Sequence, residues 1–224
     1  MQSSISSIPR INSASSSNKN LARASNHLSV IETVATDGMR YTFGIPAYEV
    51  LSSQVTFCAK GMTETNGLTS YLSGDNTVNN NRGVSHYFDK TDVPSYPHSF
   101  LLTEMVSSDY VDRLGDGLTM DDMGSYYKFN HTRLYSDTDP YRWKFPMGLN
   151  QAMLAKNNLG TNEDDLANYT YGEKEIWYTH SVESKNMIAE FTVSDRYDGH
   201  GVVDENGAIN TAKPLKKLDK ITIY

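Results

Sequence analysis

An all-β or β-dominated fold is predicted by three features of this sequence: alternating apolar and polar runs, frequent turn residues between them, and a tyrosine-rich aromatic set. The expected form is an antiparallel sandwich or sheet assembly with long loops and at most one or two short helices. The chain has 224 residues, among them 15 Tyr, 7 Phe and 2 Trp. Tyrosine buries a large ring while leaving its hydroxyl wet, which suits half-covered strands. A hydrophobic fraction of 38% and a mean hydropathy of −0.53 point to a modest core.

Residues 1–27 are rich in Ser and Asn and read as a disordered or linker lead. Residues 28–224 read as one β-rich domain. Ser29–Ala35 and Met39–Ile45 are two strands joined around Asp37-Gly38, a short hairpin pattern. Pro46 is expected to end the second run, and Tyr48–Ala59 to supply another. Cys58, the one cysteine, falls in that third strand and reads as a small buried apolar residue. Gly61–Pro97 is polar and turn-rich, with no core stripe and no predicted regular structure. Ser99–Val106 resumes a strand that leads into an acidic loop, and Ser125–Tyr135 follows as the next strand. Tyr141–Phe145 is a short strand ended by Pro146, and Gln151–Asn157 suits a brief helix. Glu175–Val182 and Asn186–Val193 form the clearest antiparallel pair, each with an apolar face. Ser194–Gly207 is a second turn-rich patch, and Leu218–Tyr224 closes the chain as a strand.

Charge excludes several functions. The net charge is −7, and the basic cluster Lys213, Lys216, Lys217 and Lys220 is short and interrupted. Nucleic acid is therefore not expected as a partner, because phosphate neutralisation would dominate its affinity. No run reaches the roughly 18 apolar residues of a membrane helix, so no membrane insertion is expected. The first residues lack the basic and apolar regions of a signal peptide. Of the two readings this leaves, cytosolic or internal fragment of something longer, the fragment is favoured.

The loop Asp109–Gly124 (DYVDRLGDGLTMDDMG) carries five carboxylates and three glycines between two strands. Counting Asp112 as the first position of a calcium loop, Asp116 is fifth, Gly117 sixth and the Leu118 carbonyl seventh, as calcium requires. Leu114, Met120 and Met123 fail the third, ninth and twelfth positions, while Asp121 and Asp122 lie just short of the closing one. The candidate ligands are thus Asp112, Asp116, Leu118, Asp121 and Asp122. Repulsion among close carboxylates favours a cation; a bare, solvated acidic turn is the competing reading.

The runs Tyr41–Tyr48, His98–Gly124, Tyr141–Gly148 and Tyr171–Phe191 occur in an order that resembles an internal segment of very large exported proteins of Bacteroidetes-type bacteria. These are loosely associated with RHS/YD-repeat and toxin-like surface proteins. The resemblance implies secretion or display at the cell surface, a long parent polypeptide and β-rich architecture. It implies other domains of that polypeptide as partners, with a further protein or glycan partner open, and it brings no catalytic residues. In that group the acidic loop tends toward an Asp-Asn-Gly-Asp-Gly pattern, and here Leu114 stands where that pattern has a polar ligand.

Other constellations are weaker. His27, His86, His98, His131, His180 and His200 are scattered without metal-ligand spacing. No Gly-x-Ser-x-Gly elbow supplies a nucleophile. Glu173, Glu175 and Glu183 are the carboxyls a glycan hydrolase would need, and Tyr141, Trp143, Trp177 and Tyr178 the rings a carbohydrate-binding module would use. Exposed strand-edge acids and core aromatics explain the same residues. Asp195, Asp198 and Asp204 match no calcium template. The function expected is a non-enzymatic structural or interaction module, calcium-braced, with a glycan-active hydrolase or carbohydrate-binding module as the alternative.

Overall fold

The computed structural model describes residues 23–155 and 165–224. Eleven strands form one open sheet in which every pairing is antiparallel. They are β1 (Ile31–Val34), β2 (Arg40–Cys58), β3 (Leu68–Ser70), β4 (Phe88–Val106), β5 (Tyr126–Tyr135), β6 (Tyr141–Phe145), β7 (Gln151–Ala155), β8 (Leu166–Lys174), β9 (Ile176–Ser184), β10 (Ile188–Val202) and β11 (Ile209–Ile223). The sheet runs β11-β10-β9-β5-β4-β2-β8-β7-β3, with β1 added to β2 and β6 to β8. The all-β expectation holds, in its sheet form, with no helix among the described residues. No helix there is long and apolar enough to cross a membrane.

The spine is the pair β2 and β4, each 19 residues long. Pro46 does not end the run as expected: β2 passes through it, because register shifts at Thr42/Phe43, Phe43/Ile45 and Ala47/Tyr48 absorb the irregularity. The Asp37-Gly38 hairpin forms as predicted, with Val34 opposite Arg40. Gly38 takes φ +83°, and the Asp37 carboxylate accepts the Met39 N–H at 3.0 Å.

Gly61–Pro97 is also more regular than its composition suggests. Leu68–Ser70 pairs with β7, and Phe88–Pro97 is the first half of β4. The missing apolar stripe there follows from exposure: Asp89–Pro94 bond to β2 through backbone while their side chains face water. The brief helix expected at Gln151–Asn157 is instead strand over Gln151–Ala155, held between β3 and β8; its remaining residues lie outside those described. Two strands offering ladder partners outweigh the helix propensity of so short a run. Ser194–Gly207 is likewise strand as far as Val202, irregular in register between Asp195 and Gly201.

The core lies at one end of the sheet. Val55 and Phe57 alternate along β2, with Val55 opposite Tyr169 and Phe57 opposite Ala167 on β8. Tyr71 stacks on Tyr169 at 5.8 Å and meets Phe57 edge-on at 5.4 Å. The polar turn after Tyr71 covers these rings and satisfies itself. Asn80 donates to the Cys58 carbonyl at 2.9 Å, Arg82 pairs with Asp75 at 2.7 Å, and Asn76 donates to the Tyr169 hydroxyl at 2.9 Å. Cys58 is buried there, as expected.

Lys144 enters this core from β6. Its ammonium lies 4.6 Å from the Tyr169 ring centre and 5.5 Å from that of Tyr71, and it donates to the Gln151 carbonyl. Burial lowers its pKa from 10.5 to about 8. The folded chain therefore releases this proton first, and the penalty of burying the charge is greatest below pH 8. Wild-type chain is expected to gain stability relative to Lys144→Met as pH rises from about 8 towards 10.5, measured by urea unfolding of both across that range. Gly172 on β8 admits no side chain, since a Cβ there would sit 2.5 Å from the Trp143 ring and 2.6 Å from the Glu49 carboxylate. Gly172→Ala should cost about 1–3 kcal/mol, the usual scale of overpacking, read from the denaturation midpoint.

Candidate functional site

β4 delivers the chain to the acidic loop at Val106, and β5 takes it up at Tyr126 directly opposite. The loop is thus the connection of a β-hairpin. A bridge between Val111 and Met123 narrows its neck. Above the neck the chain turns through Gly115 and Gly117, at φ +73° and +91°, a backbone region that side chains resist. This fits the role read for Gly117.

Carboxylates hold the turn together. Asp112 accepts the N–H groups of Gly115 at 2.6 Å and Gly117 at 3.1 Å. Asp122 is buried and accepts three donors: Thr119 N–H at 2.9 Å, Tyr110 hydroxyl at 2.7 Å and Arg113 N–H at 3.2 Å. These bonds, that of Thr119 foremost, hold its carboxyl below the ordinary range, and burial together with Asp122 pushes the Tyr110 hydroxyl up. Lys185, in the β9–β10 turn, donates to the Asp122 carbonyl and ties the loop to the next hairpin. Arg40 reaches in from β2, donating to the Tyr110 carbonyl at 3.3 Å.

Among the described residues, Asp112, Asp116 and Asp122 each bring a carboxylate oxygen to within 4.8 Å of the others. Asp121 stands outside this group, exposed, and accepts the Thr119 hydroxyl at 2.7 Å. Leu118 lines a half-open cleft of about 270 Å³ with Asp112, Tyr110, Arg40, Glu32 and Glu104. Three of the five candidates therefore converge. Tyr110, Arg113 and Thr119, which organise Asp122, were not anticipated. No spacing rule marks them, because two act through backbone and the third closes a contact across the loop.

The alternative constellations have structural partners. Glu175 is buried, accepts Tyr48 N–H at 3.1 Å and Trp177 indole N–H at 3.3 Å, and pairs with Arg133 at 3.1 Å. Burial pushes its carboxyl up despite those donors. Glu173 accepts Tyr171 hydroxyl at 2.6 Å and Arg142 at 3.0 Å, and Glu183 accepts Asn130 at 2.6 Å. Trp143 donates to buried Glu49 at 2.8 Å, and Arg133 lies 5.5 Å from the Trp177 ring. His131 is buried between the Leu102 carbonyl and Thr179, and His180 bonds Thr132 at 2.8 Å. Asp195 pairs with Lys216, Asp198 with Arg196, and Asp204 accepts the Asn206 N–H at 2.8 Å.

Asp122→Asn keeps the size of the side chain but turns one acceptor into a donor. Amide exchange at Arg113 and Thr119 should accelerate while the β2–β8 ladder stays protected, as NMR would read. In the wild-type chain the same protection should persist above the ordinary value of 3.8 and fail only as pH falls through the lower folded value. Comparison with protein-family models, with curated proteins and with solved structures gave no match.

Proposed function

We propose that this chain is a non-enzymatic structural or interaction module of a large secreted or cell-surface polypeptide. The observation that carries the reading is an open sheet with large apolar side chains at the surface of its β10–β11 end, including Ile188, Leu218, Ile221 and Ile223. Apolar groups left in water on a sheet margin favour contact with another polypeptide surface. The order of motifs, which resembles that of large exported proteins, would suit the same role, with other domains of such a polypeptide as partners.

The second part of the proposal is that calcium braces the β4–β5 hairpin. The ion would draw Asp112, Asp116 and Asp122 together, relieve their repulsion, and fix the angle at which the hairpin leaves the sheet. The hydrogen bonds already made by Asp112 and Asp122 also support a loop that stands without an ion, so the test must separate the two. Asp116 suits this purpose, since its one contact inside the loop is a long bond from the Thr119 hydroxyl, 3.5 Å.

Thermal unfolding is expected to shift upward in calcium relative to chelator for the wild-type chain, and not for Asp116→Asn. Ligand at 100 times its dissociation constant would add about 2.7 kcal/mol. Equal midpoints in calcium and chelator would remove the ion and leave the bare turn.

A further inference from the structure

We infer that His131 is an acid-sensitive tie between β4 and β5: a proton added to its imidazole loosens the base of the hairpin that carries the acidic loop. This goes beyond the module reading above and does not depend on calcium. The backbone ladder between the two strands runs only from Val106–Tyr126 to Glu104–Lys128. Past that end the His131 ring takes over, its Nε2 lying 2.8 Å from the Leu102 carbonyl. A carbonyl only accepts, so Nε2 carries the hydrogen and the neutral ring leaves Nδ1 as an acceptor. Thr179 on β9 fills that role, its hydroxyl donating at 3.2 Å. Both ring nitrogens are thus satisfied by one tautomer of the neutral imidazole, in a residue only 6% exposed.

A second proton reverses this arrangement. Nδ1 becomes a donor aimed at a donor, so the Thr179 hydroxyl must turn and its own hydrogen loses its acceptor. The ring also gains a buried charge, while the charged groups on the strands around it are engaged elsewhere. Glu104 on β4 stands opposite Lys128, Arg133 on β5 pairs with Glu175, and Glu183 on β9 accepts Asn130. Of the neighbouring imidazoles, His180 on β9 bonds Thr132, and His98 lies further along β4. On β2, Phe43 is the residue opposite Leu102. Burial accordingly lowers the imidazole pKa, and the Leu102 carbonyl raises it only in part. The released ring takes a proton more readily than the tied one. The tie is therefore whole above the ordinary value of 6.5 and is lost as pH falls through the lower folded value. The carboxyls of Glu104 and Glu175 are pushed up instead, so their protonation favours the folded sheet and works in the opposite direction.

The test uses the full chain in chelator, from about pH 8 to about pH 5, the range over which histidine changes charge. Nitrogen NMR of the histidine rings should show His131 as the Nε2–H tautomer at neutral pH, with a midpoint below 6.5. Hydrogen-exchange mass spectrometry, corrected for the pH dependence of intrinsic exchange, should show a several-fold loss of protection in β5 across that range, with β8 unchanged. His131→Gln offers an amide hydrogen to Leu102 and an oxygen to Thr179 without titrating, so its β5 protection should stay flat. A His131 midpoint at or above 6.5, protonation that leaves β5 protected, or an equal loss in His131→Gln would overturn the inference. The ring titration and the exchange profile of the wild-type chain decide the matter even if the variant fails to fold. Asp116→Asn should behave as wild type here, so this inference and the calcium reading fail separately.

Discussion

Most of the described sheet is hung on β2, a long strand whose two edges are both taken up along most of its length. β4 follows one edge from Phe57 to Arg40, while β1 and β8 divide the other. A 19-residue strand can bear this load because backbone bonding needs no particular side chain, and register shifts let it bend past Pro46 without losing its neighbours. The core is built where β2 meets β8. There the alternation of Val55 and Phe57 on one strand coincides with that of Ala167, Tyr169 and Tyr171 on the other, and Tyr71 and Val202 close over them.

Away from that core, polar contacts take over the work of apolar packing. Glu175 sits buried at the β8–β9 junction with Arg133, Trp177 and the Tyr48 backbone around it. Glu49 is buried beside Trp143, and Lys144 lies among tyrosine rings. The raised carboxyl pKa values of Glu49 and Glu175, and the lowered value of Lys144, share one cause: each charge has lost more hydration than its partners restore. Such groups are costly to bury and fix geometry once paired, which a sheet with a small core at one end requires. The acidic hairpin follows the same logic at the surface, with Asp112 and Asp122 acting as acceptors for backbone donors that a wide turn leaves unpaired.

Much of the strand content was legible from residue order. Asp37-Gly38 announced its hairpin, Tyr126–Tyr135 and the β9–β10 pair appeared where alternation put them, and Cys58 went into the core. The longest misread segment has a physical origin. Asp89–Pro94 lack an apolar period because β2 holds them through backbone bonds rather than by burial of a stripe, and backbone bonding leaves no trace in side-chain pattern. In the loop, Asp112, Asp116 and Asp122 were readable from acid and glycine spacing. Tyr110 was not, since its bond to Asp122 spans the neck of the hairpin.

By itself, the sequence determined that this chain would be β-structured, tyrosine-cored and acid-looped, because alternation, turn chemistry and carboxylate spacing are local properties. Tertiary structure decided that the strands share one open sheet and not two packed layers. It also decided that β2 runs unbroken through a proline, and that no described strand pairs with the outer edge of β11. These outcomes depend on which distant strand supplies each backbone partner, and hydrogen-bond pairing between remote segments is a property of the assembled chain.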